Sequence, residues 1–236
     1  MNSEHFFQMA SRISLMPPAL IGRLTSIQLA RVQLSNMTVT QIGFIRSATI
    51  RDLPPTVGIA NLTPQKVQAF QQRIEYLPSA LLQSIPVSSF SRDQLKVVLG
   101  KLAGTISPVV MQAIPADLMP AFGRFVRDLR PETVAAVTPA QAGKFSANQV
   151  REFNEKFGSL SVGAIGVIWR DPSKVKAITP EGARSLSLAK LSGAPLEAFS
   201  IPALREIGAI PGFSATVTDS QRARLSRSQR FALGLT

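Results

Sequence analysis

Apolar residues along this chain recur in pairs three positions apart, with a small polar residue standing four places ahead of each pair. Its fullest forms are Thr63-Pro64 with Val67 and Phe70, Ser107-Pro108 with Met111 and Ile114, Thr138-Pro139 with Ala142 and Phe145, Asp171-Pro172 with Val175 and Ile178, and Thr179-Pro180 with Ala183 and Leu186. Forms without proline are Thr25 with Leu29 and Val32, Ser35 with Val39 and Ile42, Ser91 with Leu95 and Val98, Ser146 with Val150 and Phe153, and Ser161 with Ile165 and Ile168. Arg130-Pro131 with Val134 and Val137 keeps the apolar pair and loses the cap.

A Ser, Thr or Asp oxygen at a helix start accepts a bond from one of the backbone N–H groups left unpaired there, and proline at the next position gives nothing up. Apolar residues three apart then share one face of the helix. Where the next phrase begins eight residues later, as from Thr138 to Ser146, each helix ends after about two turns and cannot stand alone in water. With 45% hydrophobic residues, chance fills both apolar positions about one time in five, so isolated matches carry little. The weight lies between Arg130 and Leu186, where six phrases follow one another. The pattern predicts an all-α fold, a right-handed superhelix or α-solenoid built from short capped helices in units of 8 to 16 residues. The expected organisation is an N-terminal cap segment (1–23), solenoid repeats (24–215) and a basic C-terminal helix or arm (216–236). No long Gly/Ser/Pro linker divides the chain, so one continuous body is expected.

Ile178-Thr179-Pro180-Glu181-Gly182-Ala183 and Ile106-Ser107-Pro108-Val109-Val110-Met111 resemble the short-helix superhelical repeats of the mesothelin, stereocilin and otoancorin family. Leu24-Thr25-Ser26-Ile27-Gln28-Leu29 and Leu62-Thr63-Pro64-Gln65 are similar to the LTxxQ-type tandem repeats of large bacterial surface proteins. The likeness is one of pattern and runs from about Leu24 to Leu186. It implies an armadillo-like solenoid used for adhesion or as a scaffold. A fainter likeness joins Phe90-Ser91-Arg92-Asp93-Gln94-Leu95 to the openings of transcription-activator-like DNA-binding repeats. The intervals here alternate between about eight and about fifteen residues, without a recurring Gly-rich loop, and so depart from the strict period of those repeats.

Composition narrows the chemistry. The chain lacks cysteine, which removes disulfides, thiolate nucleophiles and cysteine metal sites. Its single histidine is His5, so the common catalytic triads and His-based metal sites have no second member. The close carboxylate pair Glu152 and Glu155 lies beside Arg151 and Lys156 and reads as a solvated helix face. The run Gly158–Gly166 lacks phosphate-loop spacing and reads as a turn before a closely packed helix. No enzymatic activity, cofactor, metal or small-molecule substrate is expected. No apolar segment is long enough to span a bilayer, and no signal peptide is visible. The compartment is left open between cytoplasm and bacterial surface.

Charge points the other way, toward a partner. The formal net charge is +12 and the isoelectric point about 11.2, a bias suited to an acidic macromolecule. Arg124, Arg127 and Arg130 are spaced by three and are expected to form a stripe on one helix, with Phe122, Phe125 and Val126 turned inward. Arg222, Arg224, Arg227 and Arg230 fall within nine residues near the C-terminus. Leu225, Phe231 and Leu233 make a poor apolar stripe, which sets membrane-surface binding last. Two readings stand: a non-enzymatic structural or macromolecule-binding module for scaffolding, assembly or adhesion, and a nucleic-acid-binding protein working through Arg–phosphate contacts.

Overall fold

A helix two turns long persists only if its ends are capped and one face is buried, and both conditions are met along this chain. The computed structural model describes residues 12–59 and 61–235, and among them every regular element is a short α- or 3-10 helix, with no strand. The side chains of Thr25, Ser107, Thr138, Ser146, Ser161, Asp171 and Thr179 all accept cap bonds at the predicted starts. Thr63 and Arg130 also stand at helix starts, without a side-chain cap bond. Their apolar pairs are the core: Leu29, Val67, Met111, Val134, Ala142, Ile165, Val175 and Ala183 are all completely buried. Each large apolar side chain so buried contributes about 1.5–3 kcal/mol.

One predicted start shifts by three residues. Ser35 lies inside the 3-10 turn Leu34–Asn36, and the cap of the next helix, Val39–Gly43, is Thr38. The reason is chemical: Thr38 has Gln41 three residues on, so the two close a reciprocal capping box, whereas Ser35 has Thr38 there. Its apolar pair is then Ile42 and Ile45, both fully buried, and Val39 is exposed.

The residue three places after the cap does a second job. Gln141 accepts from the Thr138 N–H through Oε1 and donates through Nε2 to the Met111 and Ile114 carbonyls, both at 2.7 Å, 30 and 27 residues earlier. Gln41 reaches the Ile13 and Met16 carbonyls, Gln94 reaches Val67 and Gln71, and Gln149 reaches Met119. Where the same position holds another donor it behaves alike. Thr133 Oγ1 bonds the Ile106 carbonyl, Lys66 Nζ the Ser35 carbonyl, Lys174 Nζ the Gly143 carbonyl and Lys190 Nζ the Gly158 carbonyl. Some of these carbonyls, such as those of Met16 and Ile114, are ones the short helices leave unpaired, while those of Ile13, Val67 and Met111 also accept a backbone N–H. These side chains also define the stacking: helices follow one another about every eight residues but lie against a counterpart some 20 to 30 residues away. Thus Pro139–Ala142 packs on Val162–Ile168, Ala147–Phe153 on Pro172–Ala177, and Pro180–Arg184 on Ile201–Gly208. The chain is an all-α helical repeat fold whose stacking period is longer than the helix-to-helix interval.

Contacts divide the chain into two compact units, 1–102 and 103–236. The boundary falls where the helix Arg92–Leu102 runs straight into the 3-10 turn Ala103–Thr105, so no linker composition marks it. In the second unit, a Cβ at Gly158 would lie 2.1 Å from the Ser185 carbonyl oxygen, an approach only glycine permits. Aromatic rings thread the same unit: Trp169 sits between Phe157 and Phe199 at 6.1 and 5.5 Å and donates Nε1 to the Lys190 carbonyl.

Candidate functional site

The fourth position after each cap is the deepest in a two-turn helix, and it is apolar and buried throughout the array until its last two units. Thr218 opens Asp219–Arg224 and Ser226 opens Arg227–Ala232, each with a complete capping box to Gln221 and Gln229. Those glutamines reach back to the Ala194 and Glu197 carbonyls, 27 and 32 residues earlier, so the register of the array continues through these helices. Yet their fourth positions are Arg222 and Arg230, where every preceding unit of this kind carries Leu, Ile, Val, Ala or Met. The seventh positions, Leu225 and Leu233, remain apolar and buried.

Arg222 and Arg230 therefore project from a face that elsewhere belongs to the core. With Arg205 and Arg227 they line a groove of about 1030 Å³ whose remaining walls are Ile201, Ser228, Phe231, Ala232, Gly234 and Leu235. No carboxylate lines it among the described residues, and none of its four arginines forms an ion pair with them. The Arg222 Nε is shut off from solvent and has no acceptor. An unpaired buried donor of this kind costs about 1–3 kcal/mol. Phe231 stands at the edge, 84% exposed.

Arg224 leaves this group. It points to the other side of its helix, 3.8 Å from Glu197, and lines a separate groove with Leu188, Pro195 and Thr218. Arg205 joins it unforeseen, because its helix, Ile201–Gly208, packs directly on Arg227–Ala232. Only the stacking period, absent from any local pattern, brings it there.

The expected stripe of Arg124, Arg127 and Arg130 is broken up. The segment Ala116–Asp128 is a 3-10 run kinked at Gly123 (φ 52°, ψ −136°) and is not one straight helix. Arg124 lies over the Phe125 ring at 5.5 Å and faces a small groove with Asn148, Arg151 and Glu152. Arg127 sits 3.9 Å from Glu152, and Arg130 begins the next helix, Pro131–Ala135. Phe122 and Val126 are buried as expected, whereas Phe125 is exposed because the kink resets the helix phase. His5 lies outside the described residues.

Elsewhere many of the charges are occupied. Five of the eight lysines donate to a carbonyl of an earlier helix or turn: Lys66, Lys101, Lys156, Lys174 and Lys190. Arg73 does the same toward Gly43 and Ile45, and burial pulls its guanidinium below its ordinary pKa. Arg184 and Glu206 bond at 2.7 Å, raising the arginine and lowering the glutamate. The Ser173 hydroxyl holds the Asp171 carboxylate below the usual range. The excess charge free to act is thus mostly arginine. No helix among the described residues is long and apolar enough to cross a membrane.

No protein-family model matches this chain, and neither does any of the curated proteins compared with it.

Proposed function

We propose that this chain is a non-enzymatic helical-repeat scaffold that binds an acidic partner protein, with the groove of Arg205, Arg222, Arg227 and Arg230 as its docking face. The observation that carries this reading is the placement of arginines at the two core-facing positions of the last capped helices, in a groove without a carboxylate among the described residues. Like charges gathered without a counter-charge repel one another, and an anionic partner relieves that repulsion. Arginine suits the task because its planar fork pairs with carboxylates in a bidentate way and is weakly hydrated.

Nucleic acid is the weaker reading. A base-stacking surface interleaves several exposed aromatic rings with its cations, and here Trp169 is buried and Tyr76 lies beneath Arg51. Phe231 alone offers a ring in the arginine groove.

Fluorescence anisotropy with an oligo-glutamate peptide and a single-stranded oligonucleotide of equal charge tests the proposal. The peptide is expected to bind at low salt, to weaken as salt rises, and to lose about tenfold in affinity in the Arg227→Gln/Arg230→Gln variant. Preference for the oligonucleotide, or binding unchanged in the variant, overturns it.

A further inference from the structure

Charge alone does not describe the groove. Its floor is made by Ile201, Ala232 and Leu235, and Phe231 rises from its edge. These apolar groups share the groove with the four arginines, so the surface combines an apolar part with a cationic one. An acidic chain lying across the rim leaves that floor wet. An amphipathic chain covers it.

We infer that the groove receives an amphipathic acidic helix of a partner protein, whose apolar stripe seats on Ile201, Phe231, Ala232 and Leu235 while flanking carboxylates pair with Arg205, Arg222, Arg227 and Arg230. The inference rests on the acidic-partner reading above and adds the apolar half of the recognition. A helix presents apolar residues at i, i+3, i+4 and i+7 as one stripe with polar residues on both sides, which matches an apolar floor between cationic walls. Arg222 adds to the cationic side of this surface: no carboxylate pairs with it among the described residues.

A second copy of this chain is a poor occupant. At a net charge of +12 it brings more cations to a cationic groove. Its carboxylates Asp93, Asp171, Glu197 and Glu206 already face Lys96, Lys174, Arg224 and Arg184.

The test uses the full chain and two synthetic helical peptides of equal negative charge, one with leucines at i, i+3, i+4 and i+7 and one with serines there. The leucine peptide is expected to bind about tenfold more tightly. Phe231→Ser, a change at an exposed position, is expected to remove most of that advantage by weakening the leucine peptide far more than the serine peptide. Arg227→Gln/Arg230→Gln is expected to weaken both. Equal binding of the two peptides overturns the amphipathic proposal and leaves the acidic-partner reading standing. Failure of both peptides to bind overturns both. Tighter binding to a single-stranded oligonucleotide or to phosphatidylserine vesicles than to the leucine peptide also overturns the proposal and assigns the groove to phosphate.

Discussion

Between Arg130 and Leu191 three of the lysines are built into the structure, and between Ile201 and Leu235 four arginines gather with no carboxylate among the described residues to face them. In the first stretch Lys156, Lys174 and Lys190 each donate to a backbone carbonyl some thirty residues earlier. In the second, Arg205, Arg222, Arg227 and Arg230 share a groove and find no carboxylate among the described residues. The two stretches use the same cap chemistry and the same register, so the difference lies in where the cation sits. Three places after a cap, a long donor reaches the previous turn of the array and satisfies it. Four places after a cap, as at Arg222 and Arg230, it falls on the core stripe with no carboxylate facing it among the described residues. The same formal charge is therefore part of the fold in one place and, in the proposed reading, a binding surface in the other.

The largest effect expected from this contrast is at Gln141. It is 2% exposed, and replacing it with Leu leaves the Ile114 carbonyl and the Thr138 N–H without partners and takes one of two donors from the Met111 carbonyl. We expect Gln141→Leu to cost about 3–5 kcal/mol. Its counterpart Gln229 is part-exposed and reaches one carbonyl, that of Glu197 at 2.9 Å. Gln229→Leu should cost about 1 kcal/mol. Urea unfolding midpoints at unchanged slope measure both, and equal losses would erase the distinction between the inner and terminal turns.

The helix starts were readable from residues because capping is local: an oxygen, often a proline, and an apolar pair lie within eight residues. Thr138, Ser146, Ser161 and Thr179 needed nothing else. The stacking period was not readable in this way, since it is set by contacts between residues some 20 to 30 apart that leave only one mark, the identity of the third residue after the cap. That mark is present as Gln28, Gln41, Gln94, Gln141, Gln149, Gln221 and Gln229, and it also places Thr38 rather than Ser35 as a cap. Of the candidate site, Arg222, Arg227 and Arg230 were found from clustering alone. Arg205 was hidden by its distance along the chain, and the stripe at Arg124 failed because a glycine at positive φ breaks the helix on which the spacing of three was counted.

A smaller effect separates the two kinds of cation directly. Lys174 has a side chain only 11% exposed and bonds the Gly143 carbonyl at 2.8 Å. Lys174→Met keeps the length of the side chain and removes the donor, for an expected loss of about 1–2 kcal/mol. Arg227→Gln/Arg230→Gln, although it removes two charges, should change stability by less than about 0.5 kcal/mol, because neither guanidinium is paired. Thermal unfolding of the two variants side by side decides the matter. A neutral Lys174→Met beside a costly double arginine variant would reverse the roles assigned to the two stretches.

The smallest effect is on pH dependence, and it belongs to the inner stretch. The Asp171 carboxylate caps its helix through the Ser173 N–H and hydroxyl, and those bonds hold its folded-state pKa below the unfolded value. A depressed carboxylate contributes stability that is fully present above the unfolded pKa and is lost as pH falls through the folded one. The loss therefore begins near the ordinary aspartate value of about 4 and continues below it. Asp171→Asn keeps a capping oxygen and removes the titration. The variant should melt slightly below the wild type at neutral pH, and the gap should close as the solution is acidified past that point. Because the group is exposed, solvent screening keeps the gap small. A gap that widens in acid would mean that the cap bonds do not favour the charged form.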